Sequence, residues 1–165
     1  MRPKWRFLDT GLRNTAENMA LDDVILECKA RNLISNTVRL LRFRPPAVLV
    51  GYHQNVEQEV RLDYVKEKGI DVNRRITGRG AIYFDETSIG WEIIASKDSI
   101  PPYNSIEELF EIMYRGTVKA LRKLGVNASF RPKNDIEVNG RKISGTGGTE
   151  RENAILFQRY VTCRL

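Results

Sequence analysis

One dipeptide limits the folds open to this chain more than any other feature. Asn139-Gly140 stands between Asp135–Val138 and Arg141–Ser144. Asn-Gly is the strongest two-residue hairpin signal, because both central residues of a type I′ turn need positive φ. A tight hairpin joins antiparallel neighbours, so an all-parallel sheet is excluded. Two-residue closure also sets a register. Val138 faces Arg141, Glu137 faces Lys142, and Ile136 and Ile143 share the opposite, apolar face. Lys142 therefore projects away from the apolar face, beside a carboxylate.

The rest of the chain mixes strands with a few helices. Trp5–Asp9, Thr37–Phe43, Ala47–Val50, Ile70–Arg75, Ala81–Phe84 and Ile89–Ala95 read as strands. Thr15 is the expected N-cap of a first helix, with Met19, Ala20, Ile25 and Leu26 at helical spacing and Asp22 and Asp23 near its positive end. Glu59–Lys68 reads as a short helix closed by Gly69. A longer helix starts at Ser105, with Glu108 completing a capping box. Its apolar stripe is Ile106, Leu109, Phe110, Met113, Ala120, Leu121 and Leu124, and Gly125 ends it. The expected fold class is α+β: a mixed, largely antiparallel sheet with helices packed on it.

At 165 residues the chain has the size of one domain. Apolar runs such as Ala47–Val50 are too short to cross a bilayer. No apolar segment follows the basic start, so no secretory signal is read. Cys28 and Cys163 lie far apart and His53 is the sole histidine, which excludes a zinc site and a disulfide scaffold and points to a cytoplasmic home. Cys28 is expected in the core, and His53 at the surface, since no Ser, Cys or Asp partner stands near it. Trp91 and Phe84 are expected to be core residues. The net charge of +6 favours an anionic partner: a nucleotide, a nucleic acid or an acidic protein. Aromatic residues do not interleave with the basic ones as in a single-strand stacking platform, so nucleic acid is the least favoured of these.

The segment richest in chemistry is Arg74-Arg75-Ile76-Thr77-Gly78-Arg79-Gly80-Ala81-Ile82-Tyr83-Phe84-Asp85. Glycines allow close backbone approach, and successive N–H groups in such a turn form an anion nest. The arginines add charge and bidentate donors. No Gly-Lys-Ser/Thr follows, so this is not a Walker loop. A strand rather than a helix comes next, so it is not a dinucleotide fingerprint either. By residue chemistry alone, two readings stand: an anion loop between strands, or an ordinary glycine turn beside surface arginines.

This segment resembles the Arg-Arg-x-Ser/Thr-Gly-Gly-Gly-Ala-Val-x-His-Asp signature of the lipoate–protein ligase A family, within the biotin/lipoate ligase catalytic fold. Asn18–Asp22 resembles the family's first helix. Pro46–Asn55 resembles its Pro-x-x-x-x-x-Gly-x-x-Gln-Asn segment, and Asn134–Gly145 its Asn-Asp-…-Lys-Ile-Ser-Gly hairpin. The blocks occur in family order along nearly the whole chain. The resemblance implies ATP-dependent activation of lipoate to lipoyl-AMP, then transfer to a lysine of an acceptor lipoyl domain, from an oxo-acid dehydrogenase complex or the glycine cleavage system. It implies that Arg75 contacts the ATP or adenylate phosphate. Gly80, Ala81, Ile82 and Tyr83 would wall the acyl-adenylate, and Lys142 would hold the carboxyl and the α-phosphate as the catalytic cation. Asn134 would serve the nucleotide and Asp135 a Mg²⁺ ion. Val48, Val50 and Ile82 are the expected lining of the acyl slot.

Several positions depart from the family pattern. Arg79 replaces the middle glycine of the triplet, and Phe84 stands where histidine is common. The octanoyl transferases of the same fold use a cysteine shortly before the hairpin; here Ser129 occupies that place, which favours ATP-dependent ligation. After Gln158 the family continues with Gly-x-Leu-Leu-Val-Asp, whereas this chain reads Arg159–Leu165 and stops. A one-base shift would restore the family strand, so residues 159–165 are read as a frameshifted tail, and residues 1–165 as the N-terminal part of a catalytic domain. The other readings are a short subunit completed by a second chain, a non-catalytic relative that binds lipoyl adenylate, a transferase of the same fold and, most distantly, a nucleic-acid-binding module. Truncation would leave a sheet edge uncovered.

Overall fold

The computed structural model describes residues 4–131 and 135–162. Ten strands and four α-helices follow one another, with a 3₁₀ turn at Lys97–Ser99. They are β1 (Trp5–Arg13), α1 (Thr15–Ala30), β2 (Asn36–Phe43), β3 (Ala47–Val50), α2 (Val56–Glu59), α3 (Leu62–Glu67), β4 (Asp71–Arg74), β5 (Ile82–Phe84), β6 (Ser88–Ser96), α4 (Ile106–Lys123), β7 (Ser129–Arg131), β8 (Asp135–Val138), β9 (Arg141–Arg151) and β10 (Ala154–Thr162). Seven strands form one sheet in the order β1-β2-β6-β10-β9-β8-β7, and three form another in the order β4-β3-β5. Pairing is antiparallel except for β1 with β2 and β3 with β4. The mixed α+β class stands.

Strand alternation assigns the two helical layers. Ile94 and Leu156 face α1 and pack on Ile25 and Leu26. Ala95, Ile155 and Phe157, one residue out of phase, face α4 and pack on Leu109, Phe110 and Met113. Each of the Leu, Ile, Phe and Met side chains among these, when fully buried, contributes ~1.5–3 kcal/mol. The small sheet adds Ala47, Leu49 and Phe84 to a third cluster with Met19, Leu41 and Phe43. At the free edge of the large sheet, Phe7 on β1 stays 67% exposed.

Two helix boundaries and one capping contact differ from the expectation. The N-cap of α1 is Asn14, not Thr15: its side chain accepts from Glu17 N at 2.9 Å, and Glu17 accepts from Asn14 N at 3.4 Å. Thr15 instead donates its N–H and hydroxyl to Asp71 at 3.3 Å. The helix expected over Glu59–Lys68 is two helices, because Val60 is extended (φ −130, ψ 127) and its side chain is buried with Val65. At α4, Ser105 accepts from Glu108 N at 3.1 Å, but Glu108 reaches back to Asn104 N at 2.7 Å rather than to Ser105.

The hairpin forms as expected, with φ of +51° at Asn139 and +74° at Gly140. Val138 pairs Arg141 and Glu137 pairs Lys142, but Ile136 pairs Ser144, so Ile143 is an extra residue on β9. This bulge keeps Ile143 in the α4-side core, while Lys142 and Gly145 both border the cavity between the sheets.

Candidate functional site

The cavity holds about 690 Å³ of empty space, counting its open mouth. Its apolar part comes from Met19, Leu41, Leu49, Ile82, Phe84 and Trp91. Its polar part comes from the Arg75–Gly80 loop, Lys142 and the Gln158–Tyr160 segment. Of the slot residues expected from the sequence, Ile82 is in place. Val48 and Val50 are not; they pack on the far side of the small sheet with Val60 and Val65, and the intervening Leu49 faces the slot. The period-two rule separates Leu49 from its two neighbours.

The adjacent arginines divide their work. Arg74 donates through Nη1 to the carbonyls of Gly51, Tyr52 and Gln54 at 3.0, 2.9 and 2.6 Å, tying down the turn after β3. Arg75 is buried and lines the cavity. It donates to Thr77 Oγ1 (3.2 Å) and to the carbonyls of Leu49 (3.1 Å), Gly78 (2.7 Å) and Gly80 (3.2 Å). None of these acceptors is a carboxylate, so its charge is solvated by dipoles and not cancelled. Burial lowers its pKa, with Tyr160 and Asp22 partly opposing; it remains a cation, because arginine does not give up its proton in proteins.

Gly80 and Ala81 line the cavity beside Ile82. Tyr83 is not among the lining side chains and is exposed; it follows strand alternation outward. Arg79 has φ +82°, so the backbone keeps the left-handed conformation that a glycine would take freely. Its guanidinium lies 5.7 Å from the centre of the Phe110 ring.

Lys142 borders the cavity, and its Nζ lies 2.9 Å from Asp135 Oδ1. The carboxylate beside it is thus Asp135 and not Glu137. Asp135 forms no metal cage: among the described residues, no group of three or more His, Cys, Asp or Glu converges. A Mg²⁺ ion would find one carboxylate here and would have to take its other ligands from phosphate and water. Asn134 lies outside the described residues, as does Cys163. Ser129 is exposed on β7 and is not part of the cavity. His53 is exposed with its ring edge-on to Tyr52, Cys28 is only half-buried in α1, and Phe84 is core and cavity wall at once.

Two features escaped the sequence reading. Arg159 is buried beside the cavity, its pKa lowered to about 10 by burial, with Nη1 3.4 Å from Ser144 Oγ and, among the described residues, no hydrogen-bond partner for Nε or Nη2. Beneath the cavity lies a polar cluster. Arg39 donates to Asp22 (2.5 Å), Glu92 (3.0 Å) and Asn18 (2.5 Å), all buried. Asp22 is therefore not a helix-dipole acid. The parity of Arg39 with Leu41 and Phe43, of Glu92 with Ile94, and of Asp22 with Met19 and Ile25 carried that signal.

The site is thus an apolar slot with the cations Arg75 and Lys142 among its lining residues. The chain belongs to the lipoyl protein ligase A/B catalytic domain family, whose model matches residues 14–165. Its curated relatives include the octanoyltransferase LipM of Geobacillus kaustophilus, 31% identical over 92% of this chain and 63% of that protein. LipM of Halalkalibacterium halodurans is 29% identical over the same shares. Among solved structures, the bi-partite lipoate protein ligase of Thermoplasma acidophilum superposes with a TM-score of 0.84 at 28% identity, over 99% of this chain and 63% of that one. A lipoate-protein ligase A bound with ATP superposes at 0.83 and 29%, over 100% and 68%. The chain thus spans about 63% of the length of the curated relatives named.

Proposed function

We propose that the chain carries the acid-activating half of a lipoate ligase reaction. The observation that carries this reading is the pair Arg75 and Lys142 at the rim of one apolar slot, with the Arg75 charge uncancelled by any carboxylate. An acyl carboxylate and the α-phosphate of ATP repel each other. A fixed cation, Arg75, and a second that can swing to meet them, Lys142, offset that repulsion and hold the groups in line. A carboxylate oxygen attacks the α-phosphorus, pyrophosphate leaves, and an acyl-adenylate remains. A lysine amine of an acceptor lipoyl domain then attacks the acyl carbon and AMP leaves. Lys142 would leave Asp135 to meet the anions, while Arg75 would stay fixed. No step is assigned to Mg²⁺, for which the residues form no site of their own.

Octanoyl transfer is the second reading, favoured by the activity named for the curated relatives. Against it, no cysteine lines the cavity among the described residues, and Ser129 lies outside it. One experiment separates them. The chain is incubated with a lipoyl domain and either octanoate plus ATP, or an octanoyl thioester without ATP. Pyrophosphate release that requires the acid supports ligation. Acylation of the domain from the thioester alone supports transfer and overturns the ligase reading. A partner chain that completes the protein, and an acidic acceptor drawn by the +6 charge, belong to the same proposal.

A further inference from the structure

The buried cluster beneath the cavity connects to Arg75 through a line of hydrogen bonds whose polarity is forced. Gln158 Nε2 donates to Asp22 Oδ2 and to Glu92 Oε1, both at 2.6 Å. With one proton shared between the two acids, the carboxylate left ionised can only accept, so the amide keeps its nitrogen on that side and Oε1 points the other way. Thr77 Oγ1 donates its single proton to Gln158 Oε1 at 2.8 Å. The lone pairs of that hydroxyl are then left for Arg75 Nε, 3.2 Å away. Thr77 itself is buried against Gly147, where an added Cβ would lie 3.0 Å from Thr77 Oγ1. Two acids around one arginine would leave a buried negative charge. Burial and then Glu92 push the Asp22 carboxyl well above its ordinary range, so the cluster tends to keep a proton and approaches neutrality.

We propose that Gln158 is a positioning residue for the anion end of the cavity: it fixes the Thr77 hydroxyl, and through it the face that Arg75 presents to an anionic ligand. The inference deepens the proposed function and rests on it for the nature of the ligand. Three of the four hydrogen bonds of Arg75 go to backbone carbonyls, whose lone pairs are set by the main chain. The bond to Thr77 differs in its acceptor, a rotatable hydroxyl whose proton Gln158 holds away from Arg75. Discrimination between a carboxylate and a neutral head group of equal shape therefore depends on Thr77 and Gln158 as well as on the cation itself.

The test follows quenching of Trp91, which lines the cavity, on titration with octanoate and with octanamide. The unmodified chain is expected to prefer the acid by about tenfold or more, as suits a charge-assisted contact. Gln158→Met and Thr77→Val should bring that ratio close to one while octanamide affinity stays within about twofold, and Thr77→Ser, which keeps the hydroxyl, should restore it. An unchanged ratio in both variants, or a parallel loss for acid and amide, overturns the inference. If the unmodified chain binds neither compound, the functional reading fails, and the Arg75 Nε–H resonance decides the positioning alone. It should be protected from solvent exchange in the native chain and lose protection in Thr77→Val; equal protection in both overturns it.

Discussion

Lys142 sits opposite Glu137 on the hairpin yet pairs with Asp135, 2.9 Å away. The pair holds the lysine at the rim while no anion is present, and its exchange for a ligand costs little, because Lys142 is 45% exposed and water screens the contact. Replacing Asp135 by Asn should therefore change stability by less than ~1 kcal/mol and raise affinity for octanoate. Lys142→Met should lower acid-dependent pyrophosphate release by about 10²–10³ with a similar melting temperature. Calorimetry and a pyrophosphate assay on both variants check this; retained turnover in Lys142→Met would remove the lysine from the mechanism.

Arg79 holds a positive φ that favours glycine. Arg79→Gly should relieve a strain of ~1 kcal/mol, seen as a higher denaturant midpoint at unchanged slope. The same change removes a cation from the cavity wall, so affinity for an anionic ligand should fall. If stability drops instead, the contact of Arg79 with the Phe110 ring outweighs the backbone term.

Asp22 gives the chain a signed pH dependence. Its folded pKa is raised above 3.8, so the folded state holds the proton more tightly than the unfolded chain. Stability is highest below that value and falls as pH rises towards the folded pKa. Asp22→Asn cannot ionise and should lack this slope. Urea midpoints of the two chains from pH 4 upward should converge or cross, with the native chain losing ground. Parallel profiles would mean that Asp22 is ionised throughout.

Leu49 and Val48 are neighbours that face opposite ways. Filling the slot from its own wall, by Ile82→Trp, should abolish octanoate binding while a two-carbon acid still reaches the cations. Val48→Ala, on the far side of the small sheet, should leave ligand binding unchanged and lower stability by about 1–1.5 kcal/mol, since two groups worth about 0.8 kcal/mol each are lost from a partly buried position. Isothermal titration with a series of acid lengths distinguishes the two.

Much of this could be read from residue order. Asn139-Gly140 announced the hairpin, and the Arg74–Asp85 segment announced the loop, because both depend on local backbone demands. What escaped depends on partners distant in the chain. Lys142 pairs with Asp135, two residues along β8 from Glu137, although Glu137 stands directly opposite it, and register alone does not choose between the two. Val48 and Val50 were equally apolar with Leu49, and only pairing with β4 and β5 decides which face meets the cavity. The Arg39 cluster joins residues up to 136 positions apart; strand parity placed each member on an inward face, but nothing local said that those faces meet.

The Thr77–Gln158 hydrogen bond also spans the two sheets, tying the loop after β4 to strand β10. The cavity therefore has no existence on either sheet alone: it is created by their docking. A bound acid acts as mortar in that seam. Occupancy and the cohesion of the fold become one equilibrium, and each tenfold rise in free ligand above its dissociation constant adds about 1.4 kcal/mol to the docked state. In a cell, the supply of the acid would then set how long such a chain survives proteolysis as well as how fast it works.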